Sequence, residues 1–266
     1  MMTENVNPKD ILEWYIWAGV EETCGDIPFD IGKNEPKHET VKQNASILRP
    51  AINDLAHNVS GACKSALDVC ENVSTLEELK AVVEQFEGCA LKHTASKTVF
   101  GDGNPQAKLL LIGEAPGADE DREGVPFVGR SGQLLDKMMA AIGYSRQQYY
   151  ICNVLPWRPP GNRTPLDSEV AVCLPFLKKQ IDLVDPDFIF ILGGSAANSL
   201  LDVAETISKM RGHWFEYQKT NGKKAKVLAS FHPAYLLRSA GQKAKAWNDI
   251  LRLKKAINDE NSAEHY

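Results

Sequence analysis

No run of apolar residues in the 266-residue chain reaches the roughly 18 that a membrane-spanning helix needs. The first residues are acidic where a secretory leader carries basic residues and an apolar core, so the expectation is a cytoplasmic protein that is not exported. Paired cysteines are also missing. Cys24, Cys63, Cys70, Cys89, Cys152 and Cys173 are scattered, with no Cys-x-x-Cys pair among them, which speaks for reduced thiols over a disulfide framework. No G-x-G-x-x-G run follows a strand candidate, which argues against a dinucleotide-binding oxidoreductase. The chain lacks net positive charge, at −5 overall, but the deficit is local: residues 1–90 hold 7 Lys+Arg against 16 Asp+Glu, leaving 23 against 19 for residues 91–266. The second part therefore has the charge balance to meet phosphates.

Enough apolar material is present, at 43%, to bury a sizeable core. The chain is organised around Gly113 to Asp136, a glycine-rich, carboxylate-rich loop. It leaves the apolar run over 107–112 and leads into Leu134, Leu135, Met138, Met139 and Ile142, spaced as on a helix. From Val99 onward, strand candidates at Lys108–Ile112, Tyr149–Val154, Asp187–Leu192 and Lys226–Ala229 alternate with helices near Ser131–Ile142, Asp167–Leu183 and Ser195–Leu201. Such alternation predicts an α/β fold, a three-layer αβα with a central, mostly parallel sheet. Ahead of it, residues 1–80 read as an acidic helical N-terminal extension with a linker: helices over 8–22 and 45–70, a linker over 23–45, and a third helix capped by Ser74 or Thr75. The division is then 1–80 extension, 81–258 α/β domain and 259–266 C-terminal tail.

In such a sheet the loops after successive strands converge on one edge, where ligands bind. Three further loops have unusual content. Leu155 to Pro165 is an arch stiffened by four prolines, carrying Arg158, Asn162 and Arg163. Gly193 to Ala197 is a strand-to-helix turn whose N–H groups suit a phosphate. Ser230 to Arg238 places His232 before exposed-looking apolar residues and an arginine.

The set G-E-A-P-G-x-x-E-D, P-F-V-G-R-S-G-Q-L-L, N-V-L-P-W-R-P-P-G-N-R and H-P-A-Y-L-L-R, in this order between Cys89 and Trp247, resembles the family-4 branch of the uracil-DNA glycosylase superfamily. The resemblance implies a DNA N-glycosylase that hydrolyses the glycosidic bond of flipped-out deoxyuridine and starts base-excision repair. By the same resemblance Asn153 reads the uracil edge and Phe127 stacks on the base. Gly113, Glu114 and Ala115 line the pocket by their backbone, His232 donates to O2, and Glu120 crowds the C5 edge against thymine. Glu114, Glu120 and Asn162 all lie within reach of the attacking water, with Glu114 favoured; the catalytic set is Glu114, His232 and Asn153. No lysine sits in the motifs to form a Schiff base, which implies a monofunctional mechanism. Ser131, Arg158, Asn162, Arg163 and Ser195 are the expected DNA contacts, and Leu236, Leu237 and Arg238, with Tyr235, the expected wedge in the base stack. Each residue has a plain reading too: Asn153 as a strand-end cap, Phe127 as core, His232 as a loop residue, Glu120 and Asp121 as helix caps. The expected partner is uracil-containing DNA, single- or double-stranded, bound by a monomer, with no membrane. A non-catalytic DNA-binding module akin to polymerase-associated domains of this fold is the alternative.

Members of that family carry a 4Fe-4S cluster on four cysteines. Here Cys89 and Cys173 match two positions, while Phe86 and Trp157 stand at the others, and neither side chain can ligate iron. The expectation is no metal and no cofactor, with Phe86 and Trp157 filling the vacated volume.

Overall fold

The computed structural model describes residues 59–263. The helix read over 8–22 and the linker over 23–45 lie outside the described residues, as does the first part of the helix read over 45–70; residues 59–71 are helical. Thr75 opens α1 (Leu76–Gln85) with a capping box: its hydroxyl accepts from the Glu78 N–H at 3.1 Å while the Glu78 carboxylate accepts from the Thr75 N–H at 3.2 Å. Leu79 and Val83 of this helix are fully buried in the same core as Ala66 and Cys70, so the end of the acidic extension packs into the main body. The short α2 (Leu91–Thr94) follows.

Six strands make one sheet: β1 (Asp102–Gly103), β2 (Leu109–Gly113), β3 (Tyr150–Asn153), β4 (Phe188–Leu192), β5 (Trp214–Gln218) and β6 (Lys224–Ser230), in the order β1-β3-β2-β4-β6-β5. The central pairs are parallel, with Leu111 opposite Ile151 on β3 and Phe190 on β4. Both edge strands, β1 and β5, run antiparallel. Every residue of β2 and β4 is buried, as expected of parallel strands covered on both faces.

Strand alternation sends Leu109, Leu111, Phe188 and Phe190 to one face. There they meet Leu135 and Met139 of α4 (Arg130–Ala141) and Ile250 and Leu253 of α9 (Lys243–Ala263). Leu110, Ile112, Ile189 and Ile191 go to the other, against Phe176, Leu177 and Ile181 of α5 (Asp167–Val184). Each such side chain contributes about 1.5–3 kcal/mol by burial. This is the three-layer αβα arrangement that the alternation predicts, and the four expected strands lie within two residues of their predicted bounds. α9 continues past residue 258, the expected end of the domain. The remaining helices α3 (Ala118–Glu123), α6 (Gly194–Leu201), α7 (Ile207–Met210) and α8 (Pro233–Arg238) sit in or beside the connections at the carboxyl ends of the strands.

Candidate active site

The connections after β2, β3 and β6 enclose a cleft of about 720 Å³. It brings together Glu114, Ala115, Glu120, Phe127, Asn153 and His232. Gly113, the last residue of β2, lies beneath: a Cβ there would stand 2.4 Å from the Asn153 Oδ1 and 2.5 Å from the Phe127 Cζ, so only glycine lets the amide and the ring close over this point. Asn153 is 6% exposed and its Oδ1 has no hydrogen-bond partner. Leaving a buried carbonyl unpaired costs about 1–3 kcal/mol, which marks this oxygen as an acceptor for a group that enters the cleft. The strand-end cap reading of Asn153 would have used that oxygen.

His232 caps α8: its Nδ1 accepts from the Ala234 N–H at 3.1 Å. The ring proton is thereby assigned to Nε2. Burial, assisted by the nearby Arg238 charge, lowers the His232 pKa to about 4, so the imidazole is neutral at physiological pH. Its ring lies 5.8 Å from that of Phe127, tilted by 31°. The Glu114 carboxyl is pushed above its ordinary value by burial, opposed by a hydrogen bond with the Ser195 hydroxyl. A half-buried carboxyl group, a neutral histidine donor and an unpaired amide acceptor thus share one cleft.

Glu120 accepts from the Gly117 N–H at 3.1 Å through Oε2 and from the Gly129 N–H at 2.9 Å through Oε1. It ties the first turn of α3 to the start of α4, which is the cap reading, while also bordering the cleft. Asp121 turns away and accepts from the Ser96 and Lys97 N–H groups at 2.8 and 3.3 Å. Asn162 lines the cleft with its Oδ1 engaged by the Arg158 Nε at 2.7 Å.

The expected DNA contacts divide. Ser131, Asn162, Arg163, Leu237 and Arg238 border the cleft, although Arg163 also holds Glu169 through two hydrogen bonds of 2.9 and 2.6 Å. Arg158 and Ser195 are outside the lining, and Ser195 hydrogen-bonds Glu114. Leu236 requires a correction. It is fully buried with Phe231 and Ala246, so of the two leucines expected in the wedge only Leu237, 42% exposed and flanked by Tyr235 and Arg238, is presented to solvent.

Two residues bearing on the site were missed in the sequence. Arg130 borders the cleft at the first turn of α4, and its place in the P-F-V-G-R-S motif was the available signal. Arg146 donates to the carbonyls of Pro126 and Phe127, and nothing in its local sequence announces that.

At the positions where the resemblance implies cluster ligands, the Cys89 and Cys173 sulfurs lie 3.8 Å apart. Phe86 packs edge-on against Phe176 at 4.9 Å, and the buried Trp157 donates its Nε1–H to the Thr98 hydroxyl at 3.1 Å. Two side chains without a thiolate at these positions do not fit a four-thiolate cluster.

The family profile described as the uracil DNA glycosylase superfamily matches residues 100–251. The chain is 38% identical over 193 residues to the type-4 uracil-DNA glycosylase of Thermotoga maritima, covering 70% of this chain and 98% of that one. It is 40% identical over 169 residues to the type-4 uracil-DNA glycosylase of Archaeoglobus fulgidus, covering 62% of this chain and 84% of the relative.

Proposed function

The chain belongs to the uracil DNA glycosylase superfamily, and from that premise we propose that its cleft holds a single uracil flipped out of DNA, read by Asn153 and stacked on Phe127. The protein is a DNA glycosylase, a repair hydrolase acting on N-glycosyl bonds. The observation that carries the uracil reading is the unpartnered Asn153 Oδ1. With Oδ1 accepting from N3–H, Nδ2 donates to O4; cytosine presents the reverse pattern, and binding it would leave both buried groups unpaired.

The chemistry is one hydrolysis. The bond from C1′ to N1 breaks and its electron pair passes to the uracil ring, where negative charge collects on O2. The neutral His232 donates its Nε2–H to that oxygen, a contact that strengthens as charge develops. A water oxygen bonds to C1′ and its proton passes to the Glu114 carboxylate, whose negative charge also stabilises the oxocarbenium-like sugar. The products are an abasic site in an uncut strand and the uracil anion, which becomes free uracil by taking up one proton as Glu114 returns its own to solvent. Glu120, at the cleft wall, limits room for a substituent at C5. Ser131, Arg130, Arg163 and Arg238 meet phosphates of single- or double-stranded DNA, bound by one copy of the chain, and Leu237 fills the gap left by the base. A cytoplasmic location completes the reading.

A DNA-binding module without excision has no use for an unpaired buried amide beside a neutral histidine. The deciding experiment is excision from an oligonucleotide holding one uracil, treated with alkali afterwards, with N153A and H232A proteins alongside. Strand cleavage that appears only after alkali and is lost in both variants is the expected result. DNA binding by the wild-type protein with uracil left in place sinks the proposal.

The same reading has no iron–sulfur cluster, because Phe86 and Trp157 offer no ligand atoms. Iron determination on protein purified without oxygen is expected to give far less than stoichiometric metal; stoichiometric iron contradicts it.

A further inference from the structure

Phe127 has φ 56, a left-handed conformation that bulky side chains seldom adopt. Such a backbone persists only where its surroundings enforce it. The carbonyls on either side of this residue's peptide are held by a guanidinium from a distant part of the chain. Arg146 Nη2 donates to the Phe127 carbonyl at 2.5 Å and Nη1 to the Pro126 carbonyl at 3.1 Å, so one planar fork holds two successive peptide units. The fork is itself fixed from behind. Arg146 Nε donates to the Asp136 Oδ1 at 2.8 Å and Nη1 to the Asp102 Oδ2 at 3.1 Å, while the Tyr149 hydroxyl donates to the Asp136 Oδ1 at 3.2 Å. The first turn of α4 closes the other side: a Cβ at Gly132 would stand 1.8 Å from the Phe127 oxygen.

We propose that Arg146 is a positioning residue that sets the base-stacking face of Phe127 and never touches the substrate. The inference rests on the reading of Phe127 as the stacking platform. Released from the fork, the Phe127 backbone relaxes toward negative φ and the ring leaves its place beside His232 and Asn153. Lysine is no equivalent, because one ammonium cannot span two carbonyls and two carboxylates in a plane.

The experiment uses the full chain as wild type, F127A, R146Q and F127A/R146Q. It reads the single-turnover rate of uracil excision and the affinity for DNA bearing a tetrahydrofuran abasic analogue. That analogue has no base to stack, so its binding ignores the Phe127 ring but reports damage to the DNA-holding surface. R146Q is expected to slow excision about 100-fold, the cost of misplacing a reacting group by about an ångström, with abasic affinity unchanged. Added to F127A, it is expected to slow excision less than about threefold further, because both changes remove one interaction.

If the two losses multiply in full, or abasic affinity falls in step with the rate, Arg146 is merely structural and the inference is overturned. A wild-type rate for F127A removes the stacking reading and this inference with it. A slow F127A beside a fully active R146Q overturns the inference alone. Circular dichroism checks that R146Q is folded; should it not fold, R146K takes its place in the same cycle, with an intermediate rate expected.

Discussion

His232 and Ala234 are joined by one hydrogen bond, the Ala234 N–H donating to the imidazole Nδ1 at 3.1 Å. The bond decides the tautomer: Nε2 keeps the proton and is the donor that the proposed chemistry uses. With a pKa of about 4, the ring stays neutral through the physiological range. The excision rate is therefore expected to show no inflection near the ordinary histidine pKa of about 6.5. A single-turnover pH profile checks this, and replacing His232 by alanine is expected to cost about 10²–10³ in rate at every pH, as loss of an oxyanion donor does.

The acid limb belongs to Glu114. Its pKa is raised by burial, so the protonated form persists to higher pH than for an exposed glutamate. In the proposed role the ionised form acts on water and the sugar cation, so activity is expected to be full above that raised pKa and to be lost as pH falls through it. Changing Glu114 to glutamine is expected to lower the rate about 10²–10⁴-fold and to flatten the acid limb. An unchanged acid limb in this variant assigns the titration elsewhere.

Gly113 makes the sharpest steric prediction. A methyl group there falls 2.4 Å from the Asn153 Oδ1 and 2.5 Å from the Phe127 Cζ. The G113A protein is expected to lose about 1–3 kcal/mol of stability from overpacking, seen as a lowered Tm, and to lose uracil excision while still binding abasic DNA.

The buried strands were legible because parallel strands covered on both faces must be apolar throughout, as Leu109–Ile112 and Phe188–Leu192 are. The edges were not. β1 is only two residues long, and β5 alternates exposed and half-buried positions over Trp214–Gln218, a period-two signal that was there to be read. α3, with the sequence A-D-E-D-R-E, has no apolar stripe; the Glu120 hold on the Gly117 N–H gives it a start that periodicity does not announce. In the site, the motif loops led to Glu114, Phe127, Asn153 and His232. The direction in which Leu236 points and the reach of Arg146 depend on packing between distant segments, which one-dimensional spacing does not carry.

The two neighbouring leucines of α8 should separate stability from function. Leu236 is fully buried, so L236A is expected to cost about 2–5 kcal/mol in stability, read by denaturant unfolding. Leu237 is 42% exposed at the cleft, so L237A is expected to leave stability within about 0.5 kcal/mol and to slow excision from duplex more than from single-stranded DNA. Equal losses on both substrates remove Leu237 from the wedge role.

The most direct test of the central claim is release of free base by the full chain from three otherwise identical oligonucleotides carrying uracil, cytosine or thymine at one position. The account predicts free uracil from the first, with an intact strand that breaks only in alkali, and no base from the other two. Release of cytosine or thymine at a comparable rate, or binding without release of uracil, contradicts the assignment of the cleft around Asn153.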